Sequence, residues 1–274
     1  MARQRLDQAL VERGHVTSLA SAISAIDEHR VLVGGAVAEK AGRQVASDEA
    51  IVVIDAPSAF VSRGGHKLAR GIDEFDVEIS GHTAIDAGSA TGGFTDCLLQ
   101  AGATKVLAVD VGYGQLHERL RSDPRVVSRE RTNIRDLSRA QLVDLFAPES
   151  VPGLVVADLS FTSLCGLVNH LCSLAGEGGD LVLLCKPQFE VERAIASRGR
   201  GVVKDRSSRR EALLGVCGAL ERAGATIMGV VSSPILGPAG NAEFLIHAVA
   251  GRVPSELDLD EVLELALDDA ETLR

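Results

Sequence analysis

From residue 63 onward the chain alternates short hydrophobic runs with longer segments of helical periodicity. The runs are rich in valine, leucine and isoleucine and are bounded by turn residues, which is typical of parallel strands covered by helices on both faces. The last two strands are expected to form an antiparallel edge pair. The pattern predicts an α/β domain with a doubly wound, mostly parallel sheet. The expected strands are Thr83–Ala87, Lys105–Val111, Val126–Arg129, Leu154–Asp158, Leu181–Cys185, Thr226–Ser232 and Glu243–Val249.

The first 57 residues follow a different pattern, that of a small α+β unit. Hydrophobic spacing and turn residues predict two helices, the first ending before Gly14 and the second capped at Thr17-Ser18. Two short apolar runs on either side of Gly34-Gly35 predict a hairpin, and a further strand follows over residues 51–54. The predicted order is a small domain over 1–57, a linker over 58–62, the α/β domain over 63–251, and an acidic tail over 252–274 that forms a solvated helix.

Composition restricts the class of protein. The chain has 274 residues, of which 46% are hydrophobic, and it contains no apolar run of about 20 residues that could cross a bilayer. No apolar stretch of the kind found in signal sequences follows Met1-Ala-Arg-Gln-Arg5, so a cytoplasmic protein is expected. Its five cysteines include no C-x-x-C pair, which argues against a disulfide framework and against a zinc site.

Charge is unevenly distributed along the chain. The formal net charge is −10, but residues 252–274 contribute −6 of it, with eight acidic residues and two arginines. Residues 192–210 contain seven basic and two acidic residues, and residues 115–135 contain six arginines and three acidic residues. Local basic patches govern phosphate binding more than net charge does. These stretches predict contacts with nucleic acid, although solvated surface faces would give the same pattern.

A glycine-rich turn follows the first predicted strand of the α/β domain. Asp86 ends the strand, Gly88, Gly92 and Gly93 follow, and a helix is expected from Phe94. The spacing is neither the dinucleotide fingerprint nor a P-loop. A carboxylate beside such a turn suits a ligand that carries an ammonium and a sulfonium group, which favours S-adenosylmethionine.

Polar residues also end the next three predicted strands. Asp110 is expected to bind ribose hydroxyls, Asn133 the adenine edge, and Asp158 the cofactor as well. A single aspartate at a strand end is often only a turn cap. Polar residues after four successive strands indicate a ligand site better than any one of them does.

Two lysines and two carboxylates, widely separated in sequence, suggest the reaction. They are Lys67, Asp158, Lys186 and Glu243, and Lys186 directly follows a strand of buried type. An isolated lysine is usually a solvent-exposed side chain. A lysine can remove a proton from a ribose hydroxyl when burial and a second cation lower its pKa, while carboxylates hold its geometry. The set therefore predicts methyl transfer to a ribose hydroxyl.

The phrases around these residues resemble the TlyA (hemolysin A) family over residues 1–250. The matching phrases are Val61-Ser-Arg-Gly-Gly-His-Lys-Leu68, Thr91-Gly-Gly-Phe-Thr95, Asp110-Val-Gly-Tyr-Gly-Gln-Leu116, Glu130-Arg-Thr-Asn133, Val156-Ala-Asp-Leu-Ser-Phe161 and Lys186-Pro-Gln-Phe-Glu190. The resemblance implies a Rossmann-like class I methyltransferase domain of the FtsJ-like type, and its catalytic tetrad falls on Lys67, Asp158, Lys186 and Glu243. It further implies methylation of cytidine 2′-hydroxyls in ribosomal RNA, 23S in all members and also 16S in longer ones.

The N-terminal unit resembles the alpha-L RNA-binding domain, through Arg5-Leu-Asp-Gln-Ala-Leu10, Thr17-Ser18, Arg30-Val-Leu-Val33 and Val37-Ala-Glu-Lys40. His29 stands where that family usually has glycine, and histidine tolerates a positive φ better than most residues. The resemblance implies ribosomal RNA or ribosomal subunits as partners, with no membrane and no DNA. The expected RNA contacts are Arg3, Arg5, Lys40 and Arg43 in this unit, then Arg63, Arg131, Arg135 and the basic cluster over 193–210, with Phe161, or else Phe189, stacking on a flipped base.

Three other functions fit parts of the sequence. A non-catalytic RNA-binding or ribosome-assembly factor would keep the sheet without the chemistry. A small-molecule methyltransferase would not need the N-terminal unit. A membrane-active hemolysin should have a spanning segment, a basic amphipathic helix or a secretion signal, and none is evident.

Overall fold

The computed structural model describes residues 3–54, 59–146 and 152–273. The chain divides into two compact units, residues 1–58 and residues 59–274. The predicted linker begins at Ser58, which lies outside the described residues together with Pro57. Within the described ranges, no helix has the length and apolar character needed to cross a membrane.

The first unit is a small α+β fold. Its helices pack Leu6, Leu10 and Ile26 against Val31 of the hairpin, and all four side chains are fully buried. The predicted helices and hairpin are confirmed, and the Ser18 hydroxyl caps the second helix by accepting a hydrogen bond from the Ser21 amide. The elements are β1 (Arg3–Arg5), α1 (Leu6–Glu12), α2 (Leu19–Asp27), β2 (Val31–Val33), β3 (Ala36–Val37), β4 (Gln44–Ala46) and β5 (Ile51–Val53).

Two features of this unit concern its backbone. His29 adopts a φ of 58°, so histidine does take the left-handed conformation at the position where the alpha-L family has glycine. β1 pairs with β4 in an antiparallel ladder, separately from the β3-β2-β5 sheet. The sequence pattern did not predict this pairing, because strands of three residues are too short to show periodicity.

The second unit is a seven-stranded sheet with helices on both faces. Its strands are β6 (Thr83–Ala87), β7 (Lys105–Val109), β8 (Val126–Arg129), β9 (Leu154–Ala157), β10 (Asp180–Cys185), β11 (Thr226–Ser232) and β12 (Phe244–Val249). Its helices are α3 (Gly64–Phe75), α4 (Gly93–Gln100), α5 (Glu118–Arg121), α6 (Arg139–Leu145), α7 (Val168–Ala175), α8 (Pro187–Glu190), α9 (Arg193–Arg198), α10 (Arg206–Arg222) and α11 (Leu259–Thr272).

The strand order is β11-β12-β10-β9-β6-β7-β8. The five strands from β10 to β8 are parallel, and β12 runs antiparallel to both β10 and β11. The α/β fold class, the seven strands and the antiparallel edge pair are therefore confirmed. Successive residues of each strand point to opposite faces, so Ile85 and Val155 enter one hydrophobic core while Ala84 and Val156 enter the other.

The topology determines where a ligand can bind. After β6 the chain builds the sheet outward through β7 and β8, and then returns to place β9 on the other side of β6. In doubly wound sheets, ligands bind beyond the carboxyl ends of the strands at this reversal. The relevant segments are therefore those that directly follow Ala87 and Ala157.

The acidic C-terminal segment is not a solvated helix, and that expectation was wrong. α11 buries Leu263, Ala266, Leu267 and Ala270 in the core on one face of the sheet. Leu265 of the same helix is 61% exposed, so α11 has one buried face and one solvated face.

Candidate active site

The glycine-rich turn lies at the reversal between β6 and β9. Gly88 has a φ of 87°, and a Cβ atom there would lie 2.5 Å from the carbonyl oxygen of Asp158. Only glycine allows the turn to approach the end of β9 so closely. Gly92 precedes α4 with a φ of 96°, and the helix begins at Gly93, one residue before Phe94. The predicted turn and helix are confirmed.

Asp86 lies beneath this turn rather than on its surface. Its side chain is fully buried, and its Oδ2 accepts a hydrogen bond from the Thr95 hydroxyl at 2.6 Å. Its Oδ1 has no hydrogen-bond partner among the described residues. Burial raises the pKa of Asp86 to about 7; the hydrogen bond from Thr95 opposes the rise, and the nearby charge of Asp158 adds to it. Asp86 lines neither of the cavities described below.

One cavity, of about 470 Å³, opens at the ends of β6, β7 and β9. It is lined by Gly88, Asp110, Asn133 and Asp158, which are four of the residues expected to bind the cofactor. The carboxylate of Asp110 accepts hydrogen bonds from the amides of Ala90 at 2.9 Å and Gly112 at 2.7 Å, which fixes its position in the wall. Apolar lining with a few polar groups and this volume are typical of a small-molecule site.

A second cavity, of about 310 Å³, adjoins the first. Its lining includes Lys67, Asp158, Lys186 and Glu243, so folding does bring the four separated residues together. Gly88 and Asp158 line both cavities, as do Ala90 and Ser160. Gly93, Phe94 and Arg63 also line the second cavity, so Phe94 faces this space and not the first one.

The four charged residues form two ion pairs. Lys67 binds Glu243, and both side chains are almost completely buried. Lys186 Nζ lies 2.6 Å from Asp158 Oδ1, in the geometry of an ion pair but not of a hydrogen bond. Each buried cation is therefore balanced by one carboxylate, which is the condition under which charged groups persist away from water.

Ser160 is a member of this site that the sequence analysis did not identify. Its hydroxyl accepts a hydrogen bond from Lys186 Nζ at 2.9 Å. The serine follows Asp158 by two residues, so one short loop supplies both partners of the lysine. A serine in a loop carries no sequence signal of its own, and only its position in the phrase Asp158-Leu-Ser160 could have indicated it.

Aromatic residues stand beside the cavities. Phe161 is 92% exposed, adopts a φ of 62°, and places its ring 5.5 Å from that of Phe189. A large apolar side chain held in water in the left-handed conformation is unusual and indicates a functional constraint. Arg131 also has a positive φ, and its guanidinium stacks 4.0 Å from the ring centre of Tyr113. Arg135 is exposed and lines the larger cavity.

The predicted RNA contacts of the first unit lie on its surface. Arg3 and Lys40 are exposed, and Lys40 and Arg43 line the same depression. Arg5 is exposed but is already paired with the buried Asp7 at 2.6 Å. The pKa of Asp7 is lowered, chiefly by the hydrogen bond from Arg5. Asp7 therefore partly neutralises the positive charge of Arg5 within the unit.

Comparison with known proteins gives a consistent assignment. The pattern of the family of FtsJ-like methyltransferases matches residues 60–250. The chain is 40% identical to the 16S/23S rRNA (cytidine-2′-O)-methyltransferase TlyA of Mycobacterium tuberculosis, over 97% of this chain and 98% of that protein. It is 34% identical to Hemolysin A of Brachyspira hyodysenteriae, over 89% of this chain and 99% of that protein.

A solved structure is also similar over almost the whole chain. It is that of a protein from Streptococcus thermophilus assigned to the hemolysins, with a TM-score of 0.73 and 31% sequence identity. The match covers 99% of this chain and 97% of the other. Sequence, fold and site thus agree, and the chain belongs to the family of FtsJ-like methyltransferases, together with its TlyA and hemolysin A relatives.

Proposed function

We propose that this protein transfers the methyl group of S-adenosylmethionine to the 2′-hydroxyl of a cytidine in ribosomal RNA. The observation that carries the proposal is the lining of the second cavity by Lys67, Asp158, Lys186 and Glu243, next to a cavity suited to the cofactor. The M. tuberculosis relative matches this chain over nearly the full length of both proteins, and its name supports 16S and 23S RNA as the substrates. A ribosomal RNA substrate would place the reaction in the cytoplasm.

The first cavity is the proposed cofactor site. Its residues fit the cofactor because Gly88 allows the turn to pack against the end of β9 at the cavity wall, and because Asp110 and Asp158 offer acceptors to ribose hydroxyls and to an ammonium group. Asn133 is placed to bind the adenine edge. Asp86 lies beneath the turn, where its hydrogen bond with the Thr95 hydroxyl would support the turn without direct contact with the cofactor. S-adenosylmethionine supplies a methyl group on a positively charged sulfur.

Lys186 is the proposed acceptor of the hydroxyl proton. It lies at the carboxyl end of β10 and is only 8% exposed, and Asp158 and Ser160 fix its amine at the boundary between the two cavities. The ammonium of Lys186 must first release a proton to solvent, and its neutral amine then accepts the hydroxyl proton as the ribose oxygen bonds to the methyl carbon. The sulfur of the cofactor would keep the electrons of the broken bond. Positioning of the oxygen behind the methyl carbon supplies much of the rate.

Lys67 and Glu243 have a different role in this proposal. They pair with each other and line the same cavity as Lys186. The ammonium of Lys67 adds a second positive charge to the cavity, which favours loss of a proton from a neighbouring group. Replacement of either partner alone would leave a buried charge unpaired and is expected to damage the site.

RNA is proposed to reach the cavity along the basic surface around it. Arg63, Arg131 and Arg135 are exposed and would contact phosphates. In the first unit, Arg3, Lys40 and the donors of Arg5 that Asp7 does not occupy would make further contacts. The exposed ring of Phe161 would stack on a base turned out of its helix.

Mass mapping of ribosomal RNA tests the proposal. Ribosomal subunits that lack the modification are incubated with protein and S-adenosylmethionine, and RNA fragments are searched for a gain of one methyl group on a cytidine ribose. The wild-type protein should add it, and Lys186→Ala should not. If the wild-type protein binds the cofactor but leaves the RNA unchanged, the protein would instead be a non-catalytic RNA-binding factor.

A further inference from the structure

The structure divides the basic cluster over 193–210 into two parts. Arg206 and Arg210 both lie on α10 and face the acidic helix α11. Arg210 pairs with Asp260 and Glu264, and Arg206 pairs with Glu264 at 2.7 Å, Asp268 at 2.7 Å and Glu271 at 3.0 Å. The C-terminal helix of the chain therefore neutralises these two arginines, and they are poor candidates for phosphate binding.

The other part is the turn over residues 198–204, which contains Arg198, Arg200 and Lys204. Arg200 and Lys204 are exposed, and neither side chain has a hydrogen bond or an ion pair with any described residue. Arg198 reaches only the carbonyl oxygen of Ala194, at 3.3 Å. This turn, called here the basic turn, thus presents three positive charges without neutralising partners in the described part of the chain.

Asn241 connects the basic turn to the wall of the catalytic cavity through two hydrogen bonds. Its side chain is only 2% exposed; its amide nitrogen donates to the carbonyl oxygen of Gly201 at 2.8 Å, and its oxygen accepts from the amide of Val203 at 2.9 Å. Asn241 precedes Glu243 by two residues, a span of roughly 7 Å in extended chain. Glu243 and Pro238, on either side of Asn241 in sequence, both line the cavity.

Arg200 is held in a conformation that is unfavourable for an arginine. Its φ is 51°, in the left-handed region, where glycine is usual. The turn imposes this φ through hydrogen bonds from the amides of Gly201 to Ala196 at 2.8 Å and of Val202 to Gly199 at 3.0 Å. A glycine would adopt the same backbone without strain, so the arginine is explained by what its side chain does.

We infer that the basic turn is a binding site for RNA phosphates, held by Asn241 beside the cavity that receives the methylated nucleotide. The inference rests on the proposed function, since it takes RNA as the substrate. A guanidinium can bind two oxygens of one phosphate, and Arg200 has all its donors free among the described residues. The phosphates in reach are those that flank the nucleotide in the cavity.

Arg200→Gly is the decisive variant, because it removes the guanidinium at a position where glycine relieves strain. Its melting temperature should equal or exceed that of the wild type, while the KM for ribosomal subunits should rise about tenfold, as expected for loss of one charge-assisted hydrogen bond. The kcat should stay within about twofold. In filter binding to ribosomal RNA across a series of KCl concentrations, the salt slope should fall by about 1.

Two further variants make the result specific. Lys204→Ala should also raise the KM and lower the salt slope, whereas Arg222→Ala, an exposed arginine at the far end of α10, should change neither. If Arg200→Gly and Lys204→Ala bind and methylate RNA as the wild type does, the basic turn is not an RNA site. If the wild type itself adds no methyl group to ribosomal RNA, the proposed function is wrong. That outcome is distinguishable from a methylating wild type with unchanged variants, which would refute the basic turn alone.

Discussion

The buried carboxyl group of Asp86 gives the chain a predictable dependence of stability on pH. The group is fully buried, one oxygen has a single hydrogen bond from Thr95, and the other has no partner among the described residues. Burial raises its pKa from 3.8 to about 7 in the folded chain. Between these values the carboxyl is neutral when folded and charged when unfolded.

The sign and size of the effect follow from proton linkage. Because the folded state binds the extra proton, the contribution to stability is fully present below pH about 4 and is lost as the pH rises through about 7. A shift of about three pH units corresponds to about 4 kcal/mol. Asp86→Asn removes this dependence, but it places a buried amide group where the unpaired oxygen was, at a cost of about 1–3 kcal/mol at every pH.

Urea unfolding followed by circular dichroism between pH 4.5 and 8.5 measures this effect. Relative to the wild type, Asp86→Asn should be less stable at pH 4.5 and should gain up to about 4 kcal/mol by pH 8.5. The difference between the two proteins cancels the titration of all other groups. Thr95→Val, which removes the hydrogen bond but keeps the carboxyl, serves as the control and should retain the pH dependence. Parallel curves for the wild type and Asp86→Asn would refute the buried-carboxyl argument.

Three further predictions concern the site. Gly88→Ala should weaken binding of S-adenosylmethionine at least tenfold in calorimetry, because the new Cβ would meet the carbonyl oxygen of Asp158; unchanged affinity would contradict the close approach. Phe161→Ala should lower turnover on ribosomal subunits while leaving cofactor affinity intact, and unchanged turnover would exclude stacking. Asn241→Ala should lower the free energy of unfolding by about 1–3 kcal/mol, since it leaves the buried amide of Val203 unpaired and removes the partner of the Gly201 carbonyl; a loss below about 0.5 kcal/mol would contradict the stabilising role of Asn241.

Much of the second unit could be predicted from sequence because its signals are local. β7, β9 and β10 are almost continuous apolar runs, and β6, β8 and β11 begin and end at the expected residues. The turn at Gly88 and the lysine that ends β10 are also local features. The meeting of Lys67 and Glu243 is not a local feature, because Lys67 lies in α3 and Glu243 directly precedes the antiparallel strand β12; it was expected from the set of matching phrases.

Contacts between distant segments could not be predicted. The ion pairs of Arg206 and Arg210 depend on how α11 packs against α10, and neither helix carries a signal for its partner. The basic cluster therefore looked uniform in sequence, although α11 neutralises Arg206 and Arg210 while the charges of the turn over residues 198–204 have no such partners among the described residues. The role of Asn241 was missed for the same reason, since its two hydrogen-bond partners lie about 40 residues away.

The central claim is that Lys186, held by Asp158 and Ser160, accepts the proton of a ribose hydroxyl in RNA. Single-turnover methyl transfer with saturating cofactor and unmodified ribosomal subunits tests this role. The wild type and Lys186→Ala are compared after binding measurements show that their affinities for cofactor and RNA are equal. Lys186→Ala should lower the rate about a hundredfold or more, as is typical for removal of a general base. An equal rate of cytidine 2′-O-methylation in both proteins would contradict it.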